Sequence, residues 1–73
     1  MENVITWPMT YAVYERNNQS CHIIWAESSQ RLILVSGLPE SWLYMDSGLA
    51  RMKLEHTGWK ELNKGRVDLV KVK

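Results

Sequence analysis

The chain contains no phenylalanine, one cysteine, two prolines and two histidines in 73 residues. A single thiol cannot close an internal disulfide, and a secreted domain this small would normally need several. A zinc site is not expected either, because Cys21, His22 and His56 do not supply four ligands in paired short spacings. No apolar run approaches the ~18 residues of a membrane span. The opening MENVITWPMT lacks the basic and then apolar stretch of a signal peptide, so a cytoplasmic location is expected. The four glycines, Gly37, Gly48, Gly58 and Gly65, are scattered as turn residues are, not gathered into a phosphate loop.

Catalytic groupings are equally sparse. Cys21 and His22 are neighbours, but neighbours on a strand point to opposite faces, so the thiol has no base within reach. Glu40 with Asp46, and Glu55 with Glu61, do not stand at spacings that fix two acids on one face. A chain of this size leaves little material for pocket walls once a core is built. No enzyme, no cofactor and no small-molecule substrate are expected.

What is present is an ordinary globular composition, 45% hydrophobic and 23% charged, that fits one domain over residues 1–73. The net charge of +1 conceals an asymmetry. Before residue 51, Arg16 and Arg31 stand against five carboxylates, a net of −3. From residue 51 onward, seven cations stand against Glu55, Glu61 and Asp68, a net of +4. Such a basic third suits a polyanionic or acidic partner, or simply a solvated face.

Periodicity predicts a three-stranded meander. Thr10–Arg16 alternates, Cys21–Glu27 puts Cys21, Ile23 and Trp25 on one face, and Asn17-Asn18 suits a hairpin turn. In the third strand, Arg31–Ser36, the unbroken run Leu32–Val35 predicts a central strand covered on both faces. Val4–Met9 is a further strand candidate, with Pro8 expected at an edge or bend. Leu38, Trp42, Met45, Leu49 and Met52 recur at helical spacing, interrupted by Asp46-Ser47-Gly48, so one helix or two short helical turns are predicted. Thr57-Gly58 reads as a break. Asn63-Lys64-Gly65 reads as a hairpin turn joining Trp59–Leu62 to Arg66–Val72. The expected class is α+β, dominated by antiparallel sheet with a short helical insert; a small closed β-barrel is the alternative.

All seven aromatic rings are tryptophan or tyrosine, each with a polar handle suited to half-buried and interface positions. Trp25, Trp42 and Trp59 are expected to fill the core. Trp7, Tyr11, Tyr14 and Tyr44 are the candidate partner-binding rings, flanked by Arg51 and Lys53. Lys60, Lys64, Arg66, Lys71 and Lys73 are candidates to face nucleic acid. A protein partner is preferred over direct RNA or DNA binding, because the basic residues lie away from most tyrosines and no RNA-recognition signature is present. Self-association through a sheet edge is a third reading.

The small size, the tryptophan- and tyrosine-rich meander and the basic VDLVKVK tail together resemble the very small phage-encoded regulators that bind host RNA polymerase. That resemblance implies binding to the polymerase β′ subunit near its N-terminus and the RNA exit channel. It further implies displacement of the σ factor, inhibition of host initiation, antitermination, and nascent RNA passing nearby.

Overall fold

A computed structural model describes the backbone of residues 4–72 and the side chains of residues 7–68. Four strands, β1 (Val4–Arg16), β2 (Gln19–Ala26), β3 (Leu32–Ser36) and β4 (Lys60–Val72), form one antiparallel sheet in the order β3-β2-β1-β4. A single 3₁₀ turn (Glu40–Trp42) and one helix, α1 (Ser47–His56), lie between β3 and β4. The class is α+β, and the sheet does not close into a barrel.

The meander forms as its sequence dictates. Asn17 and Asn18 both adopt positive φ, 51° and 64°, the geometry of a two-residue turn whose twist matches the strands it joins. Arg16 therefore pairs with Gln19, and the register continues to Met9 opposite Ala26. On one face the alternation brings Ala12 and Tyr14 beside Ile23 and Cys21, all fully buried. Trp25 and Leu32 extend this layer, and Ala50 and Leu54 of α1 close it from above.

The helix is set by its ends. The Asp46 carboxylate accepts a hydrogen bond from the Leu49 amide at 3.2 Å, a cap worth about 1 kcal/mol. Ser47 anchors the first turn to the β2–β3 connection, donating from its hydroxyl to Gln30 Oε1 at 3.0 Å. At the other end Gly58 takes φ 90° while its amide reaches Glu55 O and the Trp59 amide reaches Leu54 O, which satisfies the last carbonyls. The same reversal carries Trp59 into the core beside Leu54.

Four expectations need correction. First, Asn63-Lys64-Gly65 is not a turn: β4 runs unbroken from Lys60 to Val72 and pairs with β1 along its length. The register shifts at Leu62, which stands unpaired between Tyr14↔Glu61 and Val13↔Asn63. Second, Leu32–Val35 is an edge strand, not a central one. Its run is apolar because Leu32 and Val35 face the core while a bulge at Ile33 leaves Ile33 and Leu34 exposed. Third, the buried face of α1 is Ser47, Ala50 and Leu54, whereas Leu49 and Met52 are exposed. The helical period was reset by the turn at Tyr44 (φ 67°), so Trp42 and Met45 pack against the core from outside α1. Fourth, Pro8 lies inside β1, at the sheet's interior. Its carbonyl accepts from the Glu27 amide, so its missing N–H points past the end of β2 and costs the β4 ladder nothing.

Candidate docking surface on the open sheet face

Because the helix covers one face of the sheet, the other carries the opposite half of every alternation. Trp7, Met9, Tyr11 and Val13 of β1 share it with Ile24 and Ala26 of β2, and with Gly65 and Val67 of β4. The bulge adds Ile33 beside Leu34. Trp7 is 43% exposed, Ile33 44%, Leu34 47% and Val67 41%. Trp7, Met9, Ala26 and Ile33 line a depression of about 280 Å³ on this face. Its centre has no charged side chain among the described residues; Glu15 and Lys60 sit together at one end, paired across β1 and β4. Contiguous exposed apolar surface of this kind marks an interaction site more often than isolated apolar residues do.

Tyr11 lies flat across this face. A Cβ on Gly65 would stand 2.6 Å from the Tyr11 hydroxyl oxygen, so glycine is what lets the ring rest on β4. Asn63 Nδ2 donates to the same hydroxyl at 3.4 Å.

The residues singled out for partner binding do not assemble into one site. Trp7 and Tyr11 belong to the open face. Tyr44 is 71% exposed, beside the β3 edge, where its carbonyl accepts from Arg31 Nη1 at 3.1 Å. Tyr14 is fully buried on the helix side, and this corrects its assignment to the surface. Its hydroxyl donates to Glu61 Oε1 and accepts from Arg51 Nε, each at 3.4 Å, and Arg51 reaches Glu61 at 3.5 Å. The Arg51 guanidinium also lies 5.7 Å from the Trp25 ring. Arg51 is thus part of a clamp between α1, β1 and β4. Burial raises the Tyr14 phenol above its ordinary value, with Arg51 opposing, and the bond that Arg51 donates to Tyr14 raises Arg51 in turn. Lys53 is exposed on α1, 6.0 Å from the Trp42 ring.

The basic strand is also divided. Lys64 and Arg66 align with Ala12 and Thr10 on the helix side, whereas Lys60 aligns with Glu15 on the opposite side. Arg66 is held by Glu27 at 3.3 Å and Asp68 at 3.4 Å. The Lys71 side chain and Lys73 lie outside the described residues.

Met9, Ile24, Ala26, Ile33, Leu34 and Val67 form much of the open face and were not singled out from sequence. The signal for Met9, Ile24 and Ala26 is the second apolar face of β1 and β2, whereas Ile33, Leu34 and Val67 join the face only through the sheet order and the bulge.

A second concavity of about 650 Å³ lies on the helix side between Arg16, Leu38, Pro39, Trp42 and Trp59. Within it Arg16 lies over the Trp59 ring at 4.6 Å and donates to Thr57 O at 2.7 Å. Cys21 is buried, its thiol raised by burial, while His22 is exposed on the far face, so the two diverge as expected. Among the described residues no group of three or more His, Cys, Asp or Glu side chains is placed to hold a metal ion, and no helix is long and apolar enough to cross a membrane.

Compared with models of protein families, with curated proteins and with solved structures, the chain finds no match.

Proposed function

We propose that the chain is a non-enzymatic protein-binding module that docks on a larger macromolecule through the open face of its sheet. The observation that supports this most strongly is the apolar surface around Trp7, Ile33, Leu34 and Val67, left uncovered in a domain small enough to need every apolar contact. Aromatic and aliphatic anchors at the centre of a patch, with charges at its margin, suit protein recognition more than catalysis.

The partner is bacterial RNA polymerase, in keeping with the resemblance to phage-encoded regulators. In this reading the sheet seats on the β′ subunit near the RNA exit channel, inside the bacterial host cytoplasm. It blocks host initiation and promotes antitermination, with Lys64 and Arg66 on the flank nearest the emerging RNA. Affinity capture from bacterial lysate, with mass spectrometric identification, tests the partner. Retention of polymerase is expected. Folded protein that retains no polymerase, or that binds RNA without protein and loses it steeply with salt, overturns the reading.

A further inference from the structure

The two edges of the sheet are treated differently. The β3 edge is short, five residues, and its outer side is paired at the Leu32 end. The Leu32 amide donates to Met45 O at 2.9 Å, and the Leu32 carbonyl accepts from the Tyr44 amide at 2.8 Å. The β4 edge runs for thirteen residues. Among the described residues, no other segment makes a backbone hydrogen bond to its outer side.

The register states which groups are free there. Pro8 turns its carbonyl toward β2, so the even residues of β1 face β2 and the odd ones face β4. Met9 pairs with Val67 and Tyr11 with Gly65, so Gly65 and Val67 give their N–H and C=O groups to β1. Lys64, Arg66 and Asp68 therefore turn theirs outward. Their side chains lie on the helix-side face, while Gly65, roofed by the Tyr11 ring, and Val67 lie on the open face.

We propose that the outer edge of β4 takes an extended segment of the partner as a fifth strand, with acidic side chains opposite Lys64 and Arg66 and apolar side chains opposite Gly65 and Val67. This rests on the reading that the sheet docks on a protein, and it names the edge and the chemistry of the docked segment. Main-chain bonds to Lys64 and Arg66 supply the attachment, and the alternation of the incoming strand supplies the fit. Its apolar half continues the open face beyond Val67 and the Tyr11 ring. β4 carries four cations against Glu61 and Asp68, and Lys64 and Arg66 share the helix-side face with both acids. Arg66 is held by Glu27 and Asp68, whereas Lys64 makes no ion pair among the described residues, so the acidic half meets Lys64 first. A second β4 would bring a strand of the same net sign, whereas an acidic strand complements it.

The test is amide exchange in the whole ¹⁵N-labelled chain with two blocked hexapeptides, one alternating glutamate and valine, the other lysine and valine. The glutamate peptide is expected to slow exchange at Lys64, Arg66 and Asp68, with little change at Gly65 and Val67, which β1 already protects. The lysine peptide is expected not to do so. Lys64→Pro removes an outward N–H, leaves the β1 ladder intact, and should abolish the protection. Lys64→Glu, an exposed change that does not touch the core, should weaken binding about tenfold. Unchanged exchange, equal effects of both peptides, or a wild-type dimer in sedimentation with the β4 edge protected would each overturn the inference. Polymerase capture that survives Lys64→Pro but is lost on Ile33→Glu refutes strand addition and keeps the docking reading. Capture insensitive to both removes the docking reading as well.

Discussion

The ring of Tyr11 rests on the backbone of Gly65, at a position where any side chain would meet it at under 3 Å. The contact joins β1 to β4 across the open face, and it places an apparent hairpin glycine inside a thirteen-residue strand. Because the atoms a Cβ would strike are at the far end of the Tyr11 side chain, Gly65→Ala should push the ring off β4 rather than break the strand. The expected cost is about 1 kcal/mol. In the Tyr11→Ala background the same change should cost nothing or stabilise, since the ring is gone and glycine is the weaker strand former. Urea unfolding of the four members of this cycle reads the coupling, and loss of ring-current shifts at the Gly65 protons reads the displaced ring.

Tyr14, Arg51 and Glu61 make stability fall in alkali. Burial favours the neutral phenol in the folded state, so the Tyr14 contribution is fully present below the unfolded value of about 10 and is lost as pH rises through the higher folded value. The Cys21 thiol, also raised by burial, adds a loss of the same sign that begins lower, above its ordinary range. Tyr14→Phe should cost about 1 kcal/mol at neutral pH, through the hydrogen bonds to Arg51 and Glu61. It should also flatten the steepest alkaline part of the profile. Unfolding midpoints measured from pH 7 to 11 for the wild type and Tyr14→Phe check both statements.

Helix substitutions distinguish the observed face from the one its apolar spacing suggested. Leu54 is fully buried under the sheet and Leu49 is exposed. Leu54→Ala should cost about 2–5 kcal/mol, enough to unfold much of a domain this small, while Leu49→Ala should change stability by less than about 0.5 kcal/mol. Asp46→Ala should fall between them, near about 1 kcal/mol, by removing the cap on the Leu49 amide. Chemical denaturation of the three variants gives the ranking directly.

The meander was legible because its signals are local. Paired asparagines before Gln19 fix the first turn, and period-two patterning puts Cys21, Ile23 and Trp25 on the buried face. What escaped depended on contacts distant in sequence. Gly65 looks like a turn residue until Tyr11, fifty-four positions away, is placed on it. Leu32–Val35 looks doubly buried because a bulge at Ile33 and an apolar open face produce the same unbroken run as burial would. The helical spacing from Leu38 to Met52 continued across a reversal at Tyr44 that resets its phase. For the site, Trp7 and Tyr11 were found from composition, whereas Ile33, Leu34 and Val67 needed the sheet order. Tyr14 was misplaced because nothing in its sequence neighbourhood announces Arg51 and Glu61.

In the proposed complex the partner touches the exposed apolar face around Trp7, Ile33, Leu34 and Val67. Purified bacterial RNA polymerase, immobilised and exposed to wild-type protein and to Ile33→Glu/Leu34→Glu, measures this most directly. Both altered side chains are exposed, so the variant should keep the wild-type amide spectrum away from β3. Wild-type retention with loss of binding by about a hundredfold or more in the folded variant is the predicted result, as expected when charge is placed in the centre of an apolar interface. Equal retention of the two proteins would contradict it.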